Sequence, residues 1–423
     1  MKNYYKTTFF IGLGFFTMGL MDPLYDTYVP YFLNWFIPSK GLIGTVMTLD
    51  NIFALFLIPV VSAVSDRTRT RIGRRMPYIL ITLPLTAVFF STIPFAAMKS
   101  LAFLIIVIFL LNVFKQSARG PVVALMPDII PGEYRSEANG VINTMGGIAA
   151  IVGTVGLANL MDVYIDLPKL GRIKDILPFP ISGVLVIIAT LLLFIFIKED
   201  TSAGEEQEKR VPIRKSISMI FRDKDKSAFY ILISILLWFF GYQGVLPFVG
   251  LYSIEVIGTS SGTAALAGGM VGIAYAIFAI PSGVVAHKVG RKKTIRISLI
   301  VLTLLLIVLF FHGPLSVLFG FSRTLQIAFF WALMFIFGIF WVAVITNSFP
   351  MLWQMATYDD MGIYTGLYYA FSQTAAILSP PIVGGIIDLF SYRMIFLFAA
   401  ACLFAAFLVM GLVKGGEVQS LKT

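Results

Sequence analysis

The chain has 423 residues, 58% hydrophobic and only 13% charged, with a mean hydropathy of +0.90. A soluble domain carries about a quarter charged residues, so this chain cannot cover a soluble surface and needs a lipid bilayer around most of it. The net charge of +10 would suit nucleic acid, but the Lys and Arg residues gather in short segments between apolar runs, where they act as topology signals. A nucleic-acid partner is therefore excluded. The single Cys402 cannot form an internal disulfide, and no Asn-x-Ser/Thr sequon occurs, which fits a prokaryotic membrane.

A membrane span needs about 20 mainly apolar residues. Taken in chain order, the apolar runs predict twelve spans, at 8–33, 41–65, 76–97, 101–127, 137–161, 179–198, 227–253, 262–287, 294–311, 324–352, 361–388 and 392–413. The first continues past Asp22 and Asp26, too long and too acidic for a cleavable signal peptide. The second is followed by DRTRTRIGRRMPY, with Arg67, Arg69, Arg71, Arg74 and Arg75. After the fourth comes PDIIPGEYRSEANG, with Asp128 and Glu133. A polar insert over 199–226 separates the sixth and seventh spans, so the expected organisation is a bundle over 1–198, a linker over 199–226 and a second bundle over 227–423. The eighth span runs into GVVAHKVGRKK, a shorter relative of the first basic loop, and the tenth into ATYDDMGIYTG. Gly73 and Gly290 of the basic loops lie 217 residues apart, and Gly140 and Gly366 of the acidic loops 226 apart. The repeat predicts an all-α integral membrane fold of twelve transmembrane helices in two pseudo-symmetric six-helix bundles, the plan of a secondary transporter. With the N-terminus inside, the inner segments hold 23 Lys and Arg and the outer loops seven. That asymmetry places both termini in the cytoplasm.

Ionisable residues inside spans cost about 2.5–3.5 kcal/mol each on insertion scales, so they usually serve a pathway or one another. Asp22 and Asp26 share one face of span one with Tyr25 beside them, and Lys115 and Arg119 share a face of span four with Asn112 and Gln116. These residues form a candidate substrate-binding set, in which carboxylates accept hydroxyl protons and the cations donate. A structural salt bridge is the other reading. Asp50, near the middle of span two, is with Asp26 a candidate cation-coupling acid, or else a helix–helix hydrogen-bonding group. Span seven offers Trp238, Tyr242 and Gln243 beside Gly241, Gly244 and Pro247, which predict a bent helix. Thr346 and Asn347 with Trp341 in span ten, and Gln373 with Tyr364 and Tyr368 in span eleven, complete the candidates, although single aromatics here more often pack than bind. Asp66, Arg74, Arg75 and Asp128 in the first half, and Arg291, Lys292, Asp359 and Asp360 in the second, place acid and base together near the inner face. They form a candidate gating network, or ordinary solvated loop charge. No hydrolytic or metal constellation stands out, His287 and His312 fall on opposite sides of the membrane, and there is no GxxxxGK[ST] loop. No cofactor, no metal and no enzyme activity are expected.

The basic loop with Asp66 and Gly73-Arg74-Arg75, repeated at Gly283 and Gly290-Arg291-Lys292 with His287 in place of an acid, resembles the major facilitator superfamily. Its long form, DRTRTRIGRRMPY, resembles the glycoside–pentoside–hexuronide cation symporters. The run LNVFKQSARGPVVALMPDI, with Gly120-Pro121 and Asp128, is similar to the neighbouring sucrose-transporter-like branch. Asn112 stands where sucrose transporters carry an acid and Val123 where they carry Arg; Asp50 matches the first acid of sodium-coupled carriers, while Ala54 replaces the second. The resemblance implies an alternating-access carrier of the bacterial inner membrane with spans one, four, seven and ten around a central cavity. Its small-molecule substrate would be a sugar or glycoside, taken up with a coupling cation, H+ rather than Na+. Export of drugs or amphiphilic, lipid-like solutes is the alternative within transport, and a non-transporting sensor on the same scaffold is the alternative outside it.

Overall fold

The computed structural model describes residues 4–131, 134–167, 171–199, 226–355 and 361–416. Twelve helices in it are long and apolar enough to cross a membrane: α1 (Tyr5–Leu33), α2 (Lys40–Arg67), α3 (Met76–Lys99), α4 (Leu101–Ile129), α5 (Glu137–Asp162), α6 (Pro178–Phe196), α7 (Ser227–Ile257), α8 (Ser261–Val289), α9 (Arg291–Phe310), α10 (Arg323–Trp353), α11 (Tyr364–Leu389) and α12 (Met394–Leu412). In lipid every backbone polar group must bond internally, which an unbroken helix achieves. Side chains such as Phe56, Ile81, Ile195 and Ile280 face outward at 60% exposure or more, as an apolar solvent allows and water would not. Helix starts are marked by short polar side chains that accept from the first free amides: Ser100 from Phe103 at 3.2 Å, Ser260 from Thr263 at 3.3 Å and Ser322 from Leu325 at 3.3 Å.

The chain forms two compact units, Met1–Pro38 with Val46–Glu205 and Ser253–Gly269, and Ser39–Thr45 with Glu206–Tyr252 and Met270–Thr423. In the first, α1 packs on α5 and α6, α3 on α4 and α6, and α2 on α4. In the second, α7 packs on α11 and α12, and α9 on α10 and α12. Shifted by six helices, four of these five pairs recur, so the duplication read from the loops extends to the packing. Small residues set the closest approaches: a Cβ on Gly19 would sit 2.2 Å from the Gly146 carbonyl oxygen, so α1 and α5 meet backbone to backbone.

Irregular turns fall at particular places. Helix α2 is interrupted at Thr48, and α5 passes through a π turn at Val152–Leu157 before a 3-10 turn at Ala158–Asp162. Helix α7 stays α-helical through Gly241, Gly244 and Pro247 to Tyr252, and a π turn follows at Ser253–Ile257. Gly241 and Gly244 accommodate neighbours, Ala399 of α12 and Ser379 of α11. A two-stranded antiparallel pair, Ile165–Leu167 with Gly171–Ile173, follows α5.

Candidate functional site

Two polar faces with helical spacing meet inside the first unit. Helix α1 presents Asp22, Tyr25 and Asp26 on either side of Pro23, and α4 presents Asn112, Lys115, Gln116 and Arg119 at positions 0, 3, 4 and 7 of one stripe. Asp50 of α2 joins them two residues after the interruption at Thr48. Lys115 Nζ donates to Asp22 Oδ1 at 3.0 Å and to Asp50 Oδ2 at 3.3 Å, bridging two helices to a third. The same ammonium lies 4.6 Å from the centroid of the Tyr25 ring, whose hydroxyl accepts from Asn112 Nδ2 at 2.8 Å. Gln116 Nε2 donates to the other oxygen of Asp50. Lys115 is 5% exposed and Asn112 and Gln116 fully buried, so the ammonium is held away from solvent against two carboxylates that are themselves only partly buried.

Three features leave this cluster unsatisfied. Asn112 Oδ1 and Gln116 Oε1 are buried without a hydrogen-bond partner among the described residues, and such orphans cost about 1–3 kcal/mol each. Asp26 has neither hydrogen bond nor ion pair among those residues, although Asp22, Lys115, Asp50 and Arg119 are all near enough to act on it. Arg119 is exposed, and the ion pairs of the cluster go to Lys115. Three carboxylates against two cations leave a formal charge of −1.

In the second unit the aromatic candidates gather without a charge. Tyr242 stacks on Trp341 at 4.2 Å, and Phe239 meets Trp341 and Tyr368 edge-on at 5.9 and 6.1 Å, joining α7, α10 and α11. Trp238 lies apart from this stack, fully buried with its Nε1 unpartnered among the described residues. Asn347 donates back to the Ala343 carbonyl at 2.8 Å, and Thr346 shares a hydrogen bond with Ser282 at 2.8 Å. Gln243 is half-buried, and Gln373 has a buried Oε1 with no partner among the described residues.

The first basic loop closes on a carboxylate. Arg74 binds Asp128 through two contacts, Nε to Oδ2 at 3.1 Å and Nη2 to Oδ1 at 2.6 Å, and Arg75 adds Nε to Oδ2 at 3.0 Å. Arg75, only 4% exposed, also pairs with Asp66 and donates to Ser65 Oγ at 2.6 Å. In the second loop Lys292 donates to the Gly411 and Val413 carbonyls at the end of α12. Asp359, Asp360 and Glu133 lie outside the described residues, as does most of the 199–226 linker.

Three carboxylates at span ends were not singled out in the sequence. Glu199, just after α6, accepts from the Arg75 and Met76 amides at 2.9–3.0 Å and so caps α3; burial raises its carboxyl above the usual range, against those two amide bonds. Gly73, at φ +109°, gives Glu199 its approach, since a Cβ there would collide with it. Asp162 at the end of α5 accepts from Ser260 Oγ at 2.6 Å, Ser261 Oγ at 3.3 Å and the Gly262 amide at 3.1 Å. Asp388 in the last turn of α11 accepts from Ser39 Oγ at 2.7 Å and the Lys40 and Gly41 amides at 2.7 and 3.0 Å. Each carboxylate caps the N-terminus of a helix, α8 or α2, which explains why 253–269 and 39–45 pack where they do. The two Asp are 226 residues apart, the spacing of Gly140 and Gly366, a signal available in the sequence.

Twelve spans with repeated packing and a paired charge cluster buried among three of them define a polytopic membrane transporter. The family model of the Major Facilitator Superfamily matches residues 8–357 and 255–420, and the chain belongs to that superfamily. Solved structures agree on the fold. A bacterial homologue of the human lysosomal transporter Spinster superposes with a TM-score of 0.71 at 14% identity, covering 97% of each chain. The nucleoside transporter NupG gives 0.70 at 14% identity, over 96% of this chain and 100% of its own. FucP, a transporter of the same superfamily, gives 0.58 at 15% identity, over 97% and 99%. No curated protein matches at a significant level.

Proposed function

We propose that this transporter takes up a sugar or glycoside together with one proton, by alternating access of its two homologous halves across a bacterial inner membrane. The observation that carries the reading is the formal excess of one carboxylate in the α1–α2–α4 cluster, with Asp26 as the acid that has no partner there. One monovalent cation balances such a cluster. Lys115 Nζ already sits between Asp22 and Asp50, where a sodium ion would need the same oxygens, and this supports H+ as the coupling ion. A proton on Asp26 costs no existing bond among the described residues and removes the unbalanced charge of the cluster. The unpartnered amide oxygens of Asn112 and Gln116 are acceptors of the kind that hydroxyl groups satisfy. Within the second unit, the Tyr242–Trp341 stack is an aromatic surface of the kind that suits the C–H face of a sugar ring.

Uptake into proteoliposomes with and without an imposed pH gradient tests the coupling. Asp26→Asn is expected to abolish gradient-driven accumulation while retaining downhill exchange, with Asp22→Asn and Asp50→Asn as comparisons. Accumulation at the parent level by all three variants would remove the coupling role from this cluster. A thermal-shift screen against sugars, glycosides and lysolipids at two pH values tests the substrate class, and stabilisation by lysolipids alone would favour the amphiphile reading. The Arg74–Arg75–Asp128–Asp66 network is proposed as the inner gate of the first half. Arg74→Ala should slow conformational exchange more than it weakens substrate binding, and lost equilibrium binding at an unchanged exchange rate would refute the gate.

A further inference from the structure

His312 is a buried titratable group outside every site described above. It follows the end of α9 by two residues, at the end of that helix away from the basic loop, and begins a short helix, His312–Leu318. The residue is 1% exposed. Its ring stacks on Phe329 of α10 at 5.6 Å and meets Phe330 edge-on at 5.6 Å, and Nε2 donates to the Gln326 carbonyl at 2.9 Å. The connection to α10 leans on that anchor. Val317, Leu318 and Phe319 turn outward at 66% exposure or more, while Phe321, after the positive-φ Gly320, packs edge-on against Phe329 at 5.5 Å. The His312 carbonyl accepts from Ser316 Oγ at 2.7 Å, and the Ser316 carbonyl accepts from the Phe321 amide at 2.8 Å. The turn is thus fastened to α10 through the His312 imidazole and the Phe321 ring.

The surroundings favour the neutral ring. Arg393, the residue before α12, lies alongside, with Nη2 2.9 Å from where a Cβ on Gly313 would stand. Helix α10 contributes Arg323 at its exposed start, and α7 contributes the buried Tyr252, whose ring lies 5.7 Å from that of Phe330. No carboxylate acts on His312 among the described residues; burial pushes the imidazole below its ordinary value and Arg393 adds to that, against the bond to Gln326. A protonated ring would bring a charge between apolar walls beside a second cation. We propose that His312 is an acid-sensitive latch on the α9–α10 turn: the neutral imidazole fastens the turn to α10, and protonation releases it. The latch depends neither on the substrate nor on the coupling acid proposed above. A group lowered by folding stabilises the fold above its ordinary value, about 6.5 for His, and that contribution is lost as pH falls below it. In the proposed orientation the turn lies on the outer face, so it meets external and not cytoplasmic pH.

Histidine NMR and amide hydrogen exchange on the purified full chain test the latch. The chain has two histidines, and His287 is exposed, so a His287→Gln variant with labelled histidine reports His312 alone. That ring should titrate below about 6.5. After correction for intrinsic exchange, protection of the 312–322 amides in the unaltered protein should fall several-fold between about pH 7.5 and about pH 5.5, by at most about tenfold per pH unit for one proton. His312→Gln, which keeps an N–H donor without the titration, should lose this pH dependence. Arg393→Gln should weaken it, since the ring then charges more readily in place. If His312→Gln folds poorly, the titration of the native imidazole and the comparison with Arg393→Gln still decide. A His312 titration at or above about 6.5, equal protection at the two pH values, or an equal loss in His312→Gln would each overturn the latch.

Discussion

Lys115 is the residue on which the buried chemistry depends. It is the ion-pair partner of both Asp22 and Asp50, and its ammonium also lies over Tyr25. Removing one partner of a buried ion pair leaves an uncompensated charge and costs about 3–5 kcal/mol. Lys115→Met should therefore lower Tm sharply and abolish transport. Adding Asp50→Asn to that variant removes one of the two stranded carboxylates and should recover part of the lost Tm, whereas Asp50→Asn alone should cost less than Lys115→Met. A double variant no more stable than Lys115→Met, measured by thermal unfolding in detergent, would show that Lys115 matters by packing and not by charge.

At the scale of helices, carboxylates at span ends tie one helix to the start of another. Asp162 caps α8, Asp388 caps α2 and Glu199 caps α3, each through backbone amides and, for the two Asp, serine hydroxyls. The positive end of the helix dipole favours an anion there, and losing a cap costs roughly 0.5–2 kcal/mol. A double-mutant cycle of Asp388→Ala with Ser39→Ala should show a coupling of about 0.5 kcal/mol or more, since the two side chains meet at 2.7 Å. Additive losses in Tm would mean that the main-chain amides of Lys40 and Gly41 hold the carboxylate alone. These caps also show why the chain does not partition at its central linker alone: short segments follow the helix whose carboxylate holds their first turn.

For the whole molecule, the distribution of charge makes the clearest prediction. We propose from the 23 Lys and Arg in one set of loops and seven in the other that both termini lie in the cytoplasm. A C-terminal green fluorescent protein fusion should fluoresce in cells and an alkaline phosphatase fusion at the same point should be inactive. The reverse pattern would invert the molecule and move the Arg74–Asp128 network to the outer face and the His312 turn to the inner one.

Composition and apolar run length determined by themselves that this is a twelve-span membrane protein, because nothing but lipid can solvate 58% hydrophobic residues and nothing but long helices can satisfy their backbones. The duplication was legible too, since loop glycines and charges repeat at nearly constant spacing. Helical periodicity placed Asp22 with Asp26 and Lys115 with Arg119, but periodicity acts along one helix and says nothing of what lies opposite. Only the tertiary structure decided that Lys115, and not Arg119, takes the carboxylates, that Asp50 shares it with Asp22, and that Asp26 has no partner among the described residues. The same holds for α7, where only the packing shows that Gly241 and Gly244 are contact points for α12 and α11. It holds also for Asp162, Asp388 and Glu199, ordinary loop-edge acids in the sequence, whose partners are helix starts tens to hundreds of residues away. Local pattern fixes which residues share a face; pairing between faces is a long-range property of packing, and there the choice among several nearby charges is made.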